Sequence, residues 1–446
     1  MFGGLLKSTS LAALVAVAGV AISGASAQAA DLGGNCCADL EERIAELEAT
    51  TARKGNRKVS LTVSGQINQA VMAWDDGVES NVYVTDNETA RSRFRFLGSA
   101  KIDAKWSAGY LMELGVADND QNNLSQNVTQ AAEVVIRHSA WFLQHKDLGK
   151  VWVGQTSMST DGITEVNLAN TGHFFGPATA SHNSTSFKYR LAGGAQSVST
   201  IGSVFTAGGD GFNPGEGSRN NLVKYESPVI AGFIASAAFG EDDLFDVALR
   251  YAGEFSGFKL AAGIGYIKNS DTNNKRGCAA SSVGGSGNDV DCNELGLSAS
   301  VMHVGTGLFV TGAYGQREDN KRAATLDKTD DFYMVMGGIE QAFFPLGKST
   351  LFGSYQVGSV NSGLAPNAAS AGPPAVVAGA TAGIGLATIT SAEYTNWGVG
   401  FNQNIAAAAM DLYVNYNNYS YDLKAGAVDV PVNDFQTLVA GARIQF

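Results

Sequence analysis

Several features that would point to a helical membrane protein, a nucleic-acid binder or an enzyme are scarce in this chain of 446 residues. After residue 30 no stretch comes near the roughly 20 consecutive apolar residues that a membrane-crossing helix needs. Basic residues are in deficit, with 30 Lys and Arg against 42 Asp and Glu and a formal charge of −12. That balance argues against a nucleic-acid partner, which would want a basic patch. The five histidines, His138, His145, His173, His182 and His303, are scattered. No His-Glu-x-x-His pair, Gly-Lys-Ser/Thr phosphate loop or Gly-x-Ser-x-Gly elbow occurs, so neither an enzyme nor a resident cofactor or metal is expected. Cysteine is limited to four residues. Cys278 and Cys292 flank polar, Gly-rich sequence with no His or further Cys nearby to complete a metal site, and a disulfide closing a surface loop is expected. Cys36 and Cys37 are adjacent and cannot easily bond each other without strain. Pairing between chains is one alternative for them.

At the start, Lys7 precedes an apolar core from Leu11 to Ile22 that ends in Ala27-Gln28-Ala29. This is the pattern of an export signal over residues 1–30, with cleavage near Ala29 or Ala30. Residues 31–57 follow as a short helical or coiled-coil segment. Within Ala38 to Ala52, Leu40, Ile44 and Leu47 fall at alternating spacings of four and three among glutamates. Such a helix is marginal alone. An oligomer partner, a solvated linker and a tether reaching through the periplasm are the three readings it permits.

From Lys58 to the last residue the period is two. Val59, Leu61, Val63, Ile67 and Val71 alternate with Ser60, Thr62, Ser64, Gln66 and Asn68. Phe94, Phe96, Ala100, Ile102, Trp106, Tyr110, Met112 and Leu114 alternate with Arg91, Arg93, Arg95, Lys101, Asp103, Lys105 and Glu113, over two strands joined near Ala104 to Ser107. Residues 245–266 read as a hairpin, and Met410 to Asn417 alternates in the same way. Short turns and long polar loops, such as 361–390, join the segments alternately. With 54 Gly, 22 Phe, 14 Tyr and a mean hydropathy of −0.02, this suits an all-β transmembrane antiparallel barrel over 58–446, with one face on lipid and one on water. The strands are longer than usual in globular sheets, and Trp74, Trp106, Tyr251, Tyr266, Tyr416 and Phe446 lie near segment ends, where interface girdles sit. The last strand, Gln436 to Phe446, ends on an aromatic residue like the signal read by the barrel-assembly machinery.

Residues Lys58 to Gln69, Arg91-Ser92-Arg93-Phe94-Arg95-Phe96, Arg137 to Thr156, Tyr225-Glu226-Ser227-Pro228 with Gly232-Phe233, and the terminal Phe446 carry a resemblance to the general porins of alphaproteobacteria. The resemblance implies an outer-membrane homotrimer of 16-stranded barrels, each a passive diffusion pore for small hydrophilic solutes and ions, narrowed by a loop folded inward within about 157–220. The count is 16 if Ser186–Tyr189 and Ser197–Phe205 belong to that loop region, and 18 if they are wall strands. An envelope-tethering structural protein is the alternative function.

Arginines facing lipid near the midplane would each cost about 2 to 4 kcal/mol, so Arg91, Arg93 and Arg95 are expected to face the lumen. Arg137, and Arg190 in the loop region, would extend this basic wall, with Asp161 and Glu165 on the inward loop opposite. Opposed charges across a constriction set up a transverse field that orients polar solutes. Solute identity and ion preference are not legible from these residues.

Overall fold

The computed structural model describes residues 58–117, 119–127, 132–176, 185–191, 193–194, 196–202, 213–241, 243–270, 290–322, 327–360, 391–425 and 427–446. The expected signal segment, the Leu40 to Leu47 helix, Cys36, Cys37 and Cys278 lie outside them. Among the described residues no helix is long and apolar enough to cross a membrane.

The alternating segments pair into a closed antiparallel wall. Its strands are β1 (Ser60–Asp75), β2 (Ser80–Asp86) and β3 (Arg93–Lys101), β4 (Trp106–Ala117), β5 (Glu133–His145) and β6 (Gly149–Ser157). After a short two-stranded sheet of β7 (Lys188–Arg190) and β8 (Gln196–Thr200), the wall resumes with β9 (Arg219–Glu226), β10 (Phe233–Gly240), β11 (Leu244–Phe255) and β12 (Phe258–Asn269). It continues through β13 (Cys292–His303), β14 (Leu308–Asp319), β15 (Thr329–Phe344) and β16 (Gly347–Val360) to β17 (Ser391–Ile405), β18 (Met410–Ala425) and β20 (Phe435–Gln445), with β19 (Val428–Val430) a short extension beside β18. Strands β2 and β3 both pair with β1, at its two ends, and are one wall strand interrupted by residues 87–92. Because β7 and β8 form their own sheet, the barrel has 16 strands, not 18.

Closure joins the first and last strands of the wall. β1 pairs with β20 from Gln66 opposite Gln445 to Asp75 opposite Gln436, and Gly65 and Phe446 exchange backbone hydrogen bonds of 2.9 and 3.1 Å. The Phe446 ring lies so close on Gly65 that a β-carbon there would collide with it, and it packs on Phe94 at 5.8 Å.

The parity read from the sequence holds along the wall. Val63 pairs with Phe96 on the outer face and Ser64 with Arg95 on the inner one. Exposed Val63, Ile67, Phe94, Tyr110, Met112, Leu249, Ile264 and Val399 clothe the exterior, as lipid contact demands. Inside, half of the wall is apolar. Met72 and Trp74 on β1, Phe332, Met334 and Met336 on β15, Phe352 on β16, Tyr413 and Tyr419 on β18 and Phe435 on β20 form one buried cluster with Phe174, Phe175, Phe187 and Tyr189 of the segment after β6. Trp74 therefore does not belong to a membrane girdle. It is 4% exposed and meets Phe187 edge-on at 5.1 Å.

Candidate functional site

Residues 158–175 leave β6 and cross the lumen along the inner wall, held by single polar side chains from one strand after another. Asp246 on β11 accepts from the Thr160 amide and hydroxyl at 2.7 and 2.8 Å. Ser298 and Ser300 on β13 accept from Val166 and Leu168, each at 3.1 Å. Glu340 on β15 accepts from the Asn170 amide at 2.8 Å, and Asn68 on β1 donates to the His173 carbonyl at 2.9 Å. These partners satisfy backbone groups that no ladder can satisfy, which an inward segment requires. Close approach also needs absent side chains. The return stretch 213–218 lays the Gly215 and Pro214 carbonyls on Gly296 and Gly315, where any β-carbon would clash.

Arg250 on β11 donates to the Ser159 carbonyl at 2.5 Å and to that of Asp161 at 2.8 Å, while Glu216 accepts from the amides of Gly162 and Thr164 and from the Thr164 hydroxyl. Burial, reinforced by the Asp161 charge, raises the Glu216 carboxyl above its ordinary range against the pull of those hydrogen bonds. Farther on, the β7–β8 hairpin is latched to the β1–β2 turn. Arg190 pairs with Asp76 at 2.7 Å and with Glu79 at 2.5 Å. Its side chain is only 6% exposed, so it is a clamp and does not extend the basic wall.

On the other side of the lumen three of the remaining predicted arginines converge on a carboxylate that sequence reasoning did not single out. Glu113 on β4 has a fully buried side chain and accepts from Arg95 Nε at 2.7 Å and Arg137 Nε at 2.8 Å, with Arg93 at 3.4 Å. Arg91 is turned away from this group and pairs with Glu88 and, at 2.7 Å, with Asp120. Arg137 reaches Glu113 through a bulge. Glu113 faces His138 and Leu114 faces Ile136, which leaves Arg137 as the extra residue. Two consecutive residues, Arg137 and His138, thereby point into the lumen, as bulges permit.

The inward segment meets this wall through Arg219 at the start of β9. Arg219 lies 3.6 Å from Asp161 and donates to His138 Nε2 at 3.3 Å, and the histidine's other nitrogen lies 3.2 Å from the Thr156 hydroxyl. Desolvation on the inward segment, reinforced by the Glu216 and Asp161 charges, raises the Glu165 carboxyl above its ordinary range against the pull of Arg219. Arg93, Arg95 and Arg137 thus stand on one wall, and Asp161 on the inward segment, with Glu165 four residues farther along it, approaches that wall through Arg219. Glu113 was visible as an inward residue by parity, whereas Arg219 and Arg250 carried no signal beyond their charge. Cys292 opens β13 and is fully buried. Among the described residues no three His, Cys, Asp or Glu side chains converge as metal ligands.

A family model described as Gram-negative porin matches residues 10–443. No curated protein matches the chain by sequence. Solved structures are similar in fold. The Pseudomonas putida OprB structure has a TM-score of 0.56 at 11% identity, over 92% of this chain and 97% of that one. An anion-selective porin from Comamonas acidovorans gives 0.54 at 14% identity, over 87% and 100%. The loop L8 deletion mutant of OmpT, an outer membrane protein of Vibrio cholerae, gives 0.52 at 12%, over 87% and 100%.

Proposed function

This chain belongs to the Gram-negative porin family and is an outer-membrane barrel for passive diffusion of small hydrophilic solutes, and we propose that its selectivity is set where Arg93, Arg95 and Arg137 face Asp161 and Glu165. The observation that carries this reading is the shared Glu113. Three guanidinium charges less one carboxylate leave the wall with two positive charges, and Arg95, 45% exposed, presents them to lumen water. Asp161 and Glu165 stand on a segment that hydrogen bonds hold at a set distance from that wall, so the field between them is preorganised. The net positive wall favours anions, a preference that the name of the similar Comamonas acidovorans porin also carries.

Two double variants test the field in a planar bilayer under a salt gradient. Replacing Arg93 and Arg95 with Gln raises cation over anion permeability, and replacing Asp161 and Glu165 with Asn and Gln lowers it. Unchanged reversal potentials in both, with the pores still conducting at low salt, would place the filter elsewhere.

The closer kinship with alphaproteobacterial general porins, and with it a homotrimer, rests on the motifs quoted above and is supported by the wall's uneven height. β6, β9 and β10 have 9, 8 and 8 residues, whereas β15 to β18 have 14 to 16. At about 3.4 Å per residue and a tilt near 45°, eight residues span roughly 19 Å, less than an apolar band of about 25 Å. A neighbouring barrel covers such a low wall better than lipid does. In the same reading residues 1–30 are a cleaved export signal, Phe446 is the mark that the barrel-assembly machinery recognises, and Cys278 and Cys292 clip an external loop.

A further inference from the structure

Below the inward segment, toward the short-turn rim, the ends of β5 and β6 and the inner faces of β9, β10 and β11 line a half-open cavity of about 520 Å³. Its walls include Lys150, Lys224, Glu226 and Arg250, with Met158 and Ile234 supplying apolar surface. The charges there are not balanced. Glu226 is engaged by Lys224 at 2.9 Å and by the Trp152 indole at 3.1 Å, and Asp161 is engaged by Arg219 and by the Ser157 hydroxyl at 2.5 Å. Arg250 gives one N–H from each terminal nitrogen to backbone carbonyls, which carry no formal charge, and keeps further donors for a ligand. The Lys150 ammonium rests over the Phe142 and Trp152 rings, 3.9 and 3.8 Å from their centres, an arrangement that orients a cation without neutralising it.

We propose that this cavity is a binding station for small organic carboxylates, in which Lys150 and Arg250 hold the carboxylate and Met158 and Ile234 pack against its apolar body. The station adjoins the constriction, with Asp161 at the boundary between them, and it rests on the pore reading only in requiring an open lumen. A cavity of this size falls in the range of sites for small molecules, and an apolar lining with a few converging cations is the chemistry that selects an amphiphilic anion over chloride. In the low-dielectric flank of a barrel those cations act over a longer range than on an open surface.

The test uses the full chain in a planar bilayer, with benzoate and its neutral counterpart benzamide as probes of the chloride current. Benzoate is expected to produce concentration-dependent transient block and benzamide none. With block expressed relative to each variant's own open current, Lys150→Gln weakens benzoate roughly tenfold, the loss of one charge-assisted contact, and Lys150→Arg restores most of it. Equal action of benzoate and benzamide on the parent protein overturns the proposal without any variant, as does unaltered benzoate block in Lys150→Gln. Should the Arg93 and Arg95 variants shift reversal potential while benzoate fails, the station falls and the constriction stands. The converse removes the constriction and keeps the station.

Discussion

Glu113→Gln isolates the electrostatics of the basic wall, because it removes one charge and keeps nearly the same volume. In the parent the carboxylate is fully buried among guanidinium groups that are 17, 45 and 14% exposed. Breaking a buried pair costs about 3 to 5 kcal/mol when nothing screens the charge left behind. Here lumen water reaches the arginines, so the cost to stability is about 1 to 3 kcal/mol, and the barrel still assembles. Selectivity changes more than stability does. An ion passing roughly 6 Å from the added positive charge feels about 0.7 kcal/mol in a water-like dielectric. Anion and cation respond with opposite signs, which doubles the effect on their ratio, and screening at 0.1 M roughly halves it again. The anion-to-cation permeability ratio should then rise about threefold at 0.1 M and hardly at all at 1 M, where the Debye length is about 3 Å. Reversal potentials at the two salt concentrations measure this. A ratio that stays constant at 0.1 M, or one that shifts equally at 1 M, would refute a through-space action of Glu113 on the permeation path.

Single cysteines at Arg95 and Phe96 should differ in reactivity toward a water-soluble maleimide, with the first labelled and the second protected by lipid. Greater labelling at 96 would mean the register is inverted. Asp76→Asn removes the buried partner of Arg190 and should release the β7–β8 hairpin, at a cost of about 3 kcal/mol. Limited proteolysis of folded barrels reads this as new cleavage within residues 185–202, and an unchanged pattern would show that the aromatic packing alone holds the hairpin. Oxidised Cys278 and Cys292 should contribute about 3 kcal/mol for a loop of this length. Intact mass after alkylation with and without reductant counts the thiols, and two free thiols in protein taken from the membrane would contradict the pairing.

Much of the wall was legible because lipid on one side and water on the other impose period two on every strand, and Phe94, Phe96, Arg93 and Arg95 display it without any partner in view. What fills the lumen was not. Trp74 has the same parity as inward Asn68, yet its place at a strand end suggested a membrane girdle, and only Phe187, more than 100 residues away, explains why it turns inward. Arg190 looked like one more lumen cation because its partners, Asp76 and Glu79, lie on a distant turn. The bulge at Arg137 has no signature in composition, so the pairing of Glu113 with three arginines depended on a register that the alternation itself does not specify. Side chains that hold the inward segment, such as Asp246, Ser298 and Glu340, have the polar character of any residue that faces lumen water.

The seam between β1 and β20 also orders events in time. The strand that completes β1 leaves the ribosome some 370 residues after its partner, so no closed barrel exists until the chain has been made through Phe446. Until Phe446 reaches Gly65, both edges of the sheet present unpaired backbone groups to whatever surrounds them, an aggregation hazard that grows with the interval. A chain built this way has to be kept apart from its copies until Phe446 is available. In that sense Phe446 marks closure: its presence at the seam reports that every wall strand before it has been synthesised.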